Sequence, residues 1–133
     1  MLYVEDNPAN VDLVEQILAR RENLLLYSAS NGQQGIAMAR KHRPHVILMD
    51  INLPGMSGLE ALQILSQDAA TRHIPVIAVS ANAMPLDVVS GLSAGFFRYL
   101  TKPFQINCFL EVLDLALALS ISNAAIHPIH TLP

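Results

Sequence analysis

Apolar residues fall along this chain in two alternating rhythms, short, nearly unbroken runs and longer stretches with a period near 3.6. The short runs are Leu2-Tyr3-Val4, residues 24–29 with Ser28 among them, Val46-Ile47-Leu48-Met49, residues 74–79 and residues 97–101 with Arg98 and Thr101 among them, and each reads as a strand. The stretches between them read as helices. Residues 8–20 carry Val11, Val14, Ile17 and Leu18 at helical spacing, with Asn7 as N-cap and Pro8 at the first helical position. Asn31-Gly32 opens a second helix with Ile36, Ala37, Met38 and Ala39; its basic end, Arg40-Lys41, suits the negative pole of the helix dipole, and Pro44 stops it. The turn signals Pro54-Gly55 and Ser57-Gly58 precede a helix over 58–67. A fourth helix spans 84–93 and ends at Gly95, and a fifth spans 105–119 with Phe109, Val112, Leu113 and Ala116 on one face. Five strand and helix pairs in alternation predict one α/β domain over residues 1–119, a doubly wound five-stranded parallel sheet with five helices. Residues 120–133 lose the periodicity and contain two prolines, so they are expected to form a loosely ordered tail or the start of a truncated continuation.

Polar residues interrupt this pattern at telling places. Glu5-Asp6 follows the first apolar run, Asp50 the third, Ser80 the fourth and Lys102 the fifth. In an open parallel sheet ligands bind outside the carboxyl ends of the strands, so these groups are expected to converge. Three carboxylates packed together repel one another unless a cation neutralises them, and magnesium favours hard oxygen ligands of this kind. Taken singly, Glu5-Asp6 also reads as acids at a helix start, Ser80 as a cap of the fourth helix, and Lys102 as a surface lysine before Pro103. Asp50 resists such a reading, because a carboxylate after four large apolar residues sits at a partly desolvated strand end, where pairing or function justifies the charge. A carboxylate nucleophile, a cation and an ammonium together suit phosphoryl transfer through an aspartyl phosphate.

Composition narrows the field. Charged residues are 14% and hydrophobic ones 52%, which fits strands covered on both faces. Net charge is −3 and the densest basic cluster is Arg40-Lys41 with Arg43, so a nucleic-acid footprint is not expected. The single cysteine, Cys108, excludes an internal disulfide, suits a reducing compartment, and in its apolar helical stretch is expected to be a buried structural thiol. No apolar run reaches the roughly 18 residues needed to span a bilayer and no secretory n-region is present, so a cytoplasmic location is expected. Met1 stands one residue before the first strand, which suggests a chain cut from something longer or one that begins late. His127 and His130 have no third ligand nearby and are read as solvated tail residues.

Glu5-Asp6-Asn7, the segment Leu48-Met49-Asp50-Ile51-Asn52-Leu53-Pro54-Gly55-Met56-Ser57-Gly58, Ser80-Ala81 and Tyr99-Leu100-Thr101-Lys102-Pro103-Phe104 resemble the signature of two-component response-regulator receiver domains. The resemblance covers residues 2–119 and holds in order, spacing and strand-end placement. It implies a flavodoxin-like fold with strand order 2-1-3-4-5. It implies further that Asp50 accepts a phosphoryl group from the phosphohistidine of a histidine kinase or histidine phosphotransfer domain. Magnesium would be held by Asp6, Asp50 and the backbone carbonyl of Asn52, with Glu5 acting through water. Lys102 and Ser80 would contact the phosphoryl group. Ser80 and Tyr99 would form a switch that remodels the face made by the fourth helix, fifth strand and fifth helix, where a downstream protein or a second copy would dock. Asn52 and Asn82 would tune turnover.

The stretches Tyr3-Val4-Glu5-Asp6-Asn7-Pro8-Ala9-Asn10 and Ser80-Ala81-Asn82-Ala83-Met84-Pro85 are similar to receivers attached to hybrid sensor histidine kinases. One departure from the family is Phe96-Phe97-Arg98 before Tyr99, where acidic residues often stand. An exposed aromatic pair there would suggest a docking surface, and a ring turned into the core would not. Two rival readings remain. A phosphatase of the haloacid-dehalogenase type needs a second acid two residues after the nucleophile, and here that position is Asn52. A receiver that no longer turns over phosphate and serves only as an interaction module would keep the fold and lose the chemistry.

Overall fold

Side-chain caps start three of the helices in the structure, a computed structural model that describes residues 1–19, 21, 24–81 and 84–131, without the side chains of 85, 86 and 121–131. Asn7 Oδ1 accepts from the Ala9 N–H at 3.0 Å and opens α1 (Pro8–Leu18). Asn31 Oδ1 accepts from the Gln34 N–H at 2.8 Å and opens α2 (Gly32–His42), and Ser57 Oγ accepts from the Glu60 N–H at 3.2 Å and opens α3 (Gly58–Gln67). The α4 helix (Pro85–Ala94) follows Met84 with no side-chain cap, so Ser80 does not serve as its cap. The α5 helix spans Ile106–Thr131.

Between the helices run β1 (Leu2–Val4), β2 (Tyr27–Ala29), β3 (Ile47–Asp50), β4 (Val76–Ser80) and β5 (Arg98–Thr101). All four pairings are parallel and the order is β2-β1-β3-β4-β5, the flavodoxin-like arrangement. The alternation of side chains along each strand builds two cores. Leu2, Val4, Ile47, Met49, Val76 and Ala78 pack with Ile36 and Ala39 of α2 and Ala61, Leu62 and Leu65 of α3. On the other face Tyr3, Leu48, Ile77, Val79 and Leu100 pack with Val14 and Leu18 of α1 and Phe109, Leu113 and Ala116 of α5. Strands covered on both sides explain the unbroken apolar runs.

Three expectations are corrected and one open alternative is decided. The strand expected over 24–29 is ordered as β2 only from Tyr27, because a strand extends no further than its partner: Tyr27 pairs with Leu2, and before it the Met1 ammonium donates to the Leu25 carbonyl. The last helix continues through 120 to Thr131, past the expected end at 119; residues 121–127 hold neither Pro nor Gly, adding a residue to an existing helix is far easier than starting one, and Pro128, in the last turn, removes one backbone donor without stopping it. Cys108 is exposed, not buried, since Phe109, Leu113 and Ala116 take the inward face of α5. Phe96 is 3% exposed and belongs to the core, while the Arg98 guanidinium lies 4.5 Å over the half-buried Phe97 ring, so no exposed aromatic pair forms. Asn82 and the side chains of His127 and His130 lie outside the described residues.

Candidate functional site

The sheet changes winding direction between β1 and β3, and the predicted groups gather at the carboxyl ends of these strands. Glu5 and Asp6 leave β1, Asp50 is the last residue of β3, and Lys102 follows β5. The carboxylate oxygens of Glu5, Asp6 and Asp50 lie within 4.8 Å of one another. Lys102 Nζ donates to Glu5 Oε1 at 2.6 Å and to Asp50 Oδ2 at 3.0 Å, joining residues 97 and 52 positions apart in the chain. Its peptide bond to Pro103 is cis.

Glu5 and Asp50 are buried, whereas Asp6 is exposed. Burial pushes the Glu5 carboxyl above the usual carboxylate range, reinforced by a hydrogen bond with Asp50 and opposed by those from Lys102 and Asn10. For Asp50 burial acts in the same direction but loses: hydrogen bonds from Glu5, the Asn52 N–H at 3.0 Å and Lys102 hold it below its ordinary value. Lys102 resists the discharge that burial favours, because Glu5 and Asp50 together raise it. Of the pair, Glu5 is the carboxyl that takes up a proton first as pH falls, and Asp50 the one that stays ionised longer.

The donor set fits a hard divalent cation: three carboxylates, one of them solvent-facing, with the Asn52 backbone beside them. They are not equally available. Glu5 Oε1 accepts from Lys102 and from Asn10 Nδ2 and lies 3.5 Å from the Tyr3 hydroxyl, while Oε2 accepts from the Asp6 N–H at 3.2 Å. Asp50 Oδ2 likewise accepts from Lys102 and its Oδ1 from the Asn52 N–H, so the exposed Asp6 is the carboxylate most open to a cation.

Asn10 and Tyr3 were not expected at the site. Asn10 sits in the first turn of α1, where its side chain reaches back to Glu5, and its spacing of five residues from Glu5 was the available signal. Gly58, expected at the turn into α3, donates its N–H to the Ile51 carbonyl at 3.0 Å. A Cβ there would overlap the Asp50 carbonyl oxygen and stand 2.9 Å from Ile51 Cα, so the close approach of α3 to the end of β3 requires glycine. Ser80, 3% exposed at the end of β4, and Tyr99 of β5 line a groove of about 270 Å³ with Asn52, Asp87, Ser90 and Gly91. Among the described residues no helix is long and apolar enough to cross a membrane.

The model of the response regulator receiver domain family matches residues 1–114. Protein PilH of Pseudomonas aeruginosa is 37% identical over 118 residues, covering 89% of this chain and 97% of that protein. The polar-differentiation response regulator DivK of Brucella anthropi is 39% identical over 113 residues, covering 85% and 91%. Among solved structures, the receiver domain of a sensor histidine kinase from Pseudomonas aeruginosa PAO1, which holds a magnesium ion in its active-site cleft, superposes with a TM-score of 0.78. It is 33% identical, over 88% of this chain and 95% of that one. Domains of this kind take a phosphoryl group from a histidine kinase on an aspartate, bind magnesium at an acidic site and act on downstream partners. The fold, the acidic cluster at its winding switch and these matches converge, and the chain belongs to the response regulator receiver domains of two-component signalling.

Proposed function

We propose that Asp50 is the phosphoacceptor. The observation that carries this reading is the Lys102 ammonium held between Glu5 and Asp50 beside an exposed third carboxylate at the carboxyl end of the sheet. A carboxylate oxygen of Asp50, kept ionised by its donors, attacks the phosphorus of a phosphohistidine protonated on its other ring nitrogen; the O–P bond forms, the P–N bond breaks with its electron pair going to the ring, and the donor leaves as a neutral imidazole that keeps that proton. Lys102 neutralises charge on the transferring group, and the Ser80 hydroxyl donates to one of its oxygens. Asp6, Asp50 and the Asn52 carbonyl would hold magnesium, and Glu5, which fixes Lys102, would stand beside it. The bound ion supplies a Lewis acid that offsets negative charge on the phosphoryl oxygens.

The same reading makes Ser80 and Tyr99 the switch, whose output is the face of α4, β5 and α5. Asn52 and Asn82 set the access of water to the phosphorylated site. The donor is a histidine kinase or a histidine phosphotransfer domain, and the likeness to a kinase-borne receiver supports a parent of the hybrid kinase type. In that arrangement residues 1–119 form the receiver and 120–133 lead onward as a tail or continuation.

Intact-mass analysis after incubation with acetyl phosphate, with and without magnesium, tests the assignment. Wild type should gain one phosphoryl group only with magnesium, and Asp50→Asn should gain none while keeping its fold. Equal labelling of Asp50→Asn would sink the site; no labelling of wild type by acetyl phosphate or a phosphohistidine donor would leave a silent interaction module.

A further inference from the structure

We propose that Gly91 is the seat of the Tyr99 ring, a positioning residue whose missing Cβ allows the ring to lie against α4. The proposal deepens the switch reading above and rests on it for its meaning, though not for its geometry. Gly91 is the seventh of ten residues in α4, an interior position where glycine is a poor choice beside alanine. It is buried, and a Cβ built on it would stand 2.9 Å from Tyr99 Cδ2, 3.1 Å from Tyr99 Cε2 and 3.5 Å from Phe96 Cδ2. The ring therefore occupies the volume that any other residue would fill with its own side chain.

Relief of that overlap has one direction. The backbone of Tyr99 is held in the sheet, where it pairs with Ala78, so within β5 the ring yields by side-chain rotation. Phe96 is anchored in the core and closes one side. Tyr99 is half-buried, and beside the start of α5 it also lines an open cleft with Phe104, Gln105 and Cys108. A methyl group at position 91 consequently turns the ring outward, with the groove beside Ser80 left vacant by it. The size of residue 91 thus sets the balance between the inward and outward positions of Tyr99, independent of any phosphoryl group.

A double-mutant cycle read by urea unfolding tests the seat without using the switch. In a Tyr99→Ala background, Gly91→Ala should give the ordinary helical gain, roughly fivefold in the folding equilibrium. With Tyr99 present the gain should vanish or reverse; the same gain in both backgrounds would overturn the proposal. Fluorotyrosine-labelled protein supplies the second readout, with the Tyr99 resonance assigned by Tyr99→Phe. Gly91→Ala should move that resonance toward the solvent-exposed position with no phosphodonor present, and an unmoved resonance in a normally folded variant would also overturn it. If acetyl phosphate labels wild type on Asp50 yet leaves the resonance in place, the switch reading fails, and the cycle still decides the seat.

Discussion

Lys102 shows how one side chain makes a costly arrangement stable. Glu5 and Asp50 are 3% and 4% exposed, and two ionised carboxylates at that depth are tolerated only when a cation faces them. Lys102 supplies it with a side chain that is itself 23% exposed, so part of its desolvation is avoided. In metal-free protein at pH 7, Lys102→Ala should cost about 1–3 kcal/mol, because the carboxylates lose their charged donor. The deficit should depend on pH with a definite sign. Glu5 sits above and Asp50 below the usual carboxylate range, so the ion pairs disappear first as Glu5 protonates and finally as pH falls through the lowered Asp50 value. Urea unfolding of wild type and variant at pH 7 should show the gap, and at acid pH the two midpoints should merge. A gap that persists with both carboxylates neutral would assign the effect to lost packing of the lysine stem. The sequence marked Glu5, Asp50 and Lys102 by their places after apolar runs. Their division of labour was hidden, because it depends on Asn10, whose approach to Glu5 is a product of how α1 docks on β1.

At the scale of elements, the junction of β3 and α3 carries the tightest constraint on the site. The helix starts so close to the strand end that Gly58 touches the Asp50 backbone, and the neighbouring atoms are main chain that cannot rotate away. Gly58→Ala should therefore destabilise the fold by about 1–3 kcal/mol, despite the better helix propensity of alanine, since backbone must shift. It should also slow labelling by acetyl phosphate, because Asp50 and Asn52 move with that backbone; a variant of unchanged stability and labelling rate would show that the junction yields freely. Element boundaries were legible where local chemistry sets them. Asn7 with Pro8, Asn31 and Ser57 start α1, α2 and α3 as their residue types demand, and the start of α3 at 58 follows from the turn signals before it. They were illegible where a partner sets them: β2 is short because β1 is short, and Cys108 faces outward because of which side of α5 meets the sheet.

The whole molecule is what brings the site together, and this has a measurable consequence. Unfolding scatters Glu5 and Lys102 over 97 positions of chain and Asp50 and Lys102 over 52, so the unfolded state holds no comparable cation site. Any divalent cation bound by the folded carboxylates must then stabilise the fold by mass action, about 1.4 kcal/mol when the free ion is at ten times its dissociation constant. The unfolding midpoint should rise with magnesium chloride and stay nearly level with sodium chloride at matched ionic strength, because screening of exposed charges alone treats the two salts alike. Asp6→Ala separates the two explanations further. Asp6 is exposed, so its loss should leave metal-free stability close to that of wild type while removing most of the magnesium response. Equal responses of wild type and Asp6→Ala would move the ion elsewhere, and a midpoint that ignores magnesium altogether would mean that Lys102 already satisfies these carboxylates too well for a cation to compete.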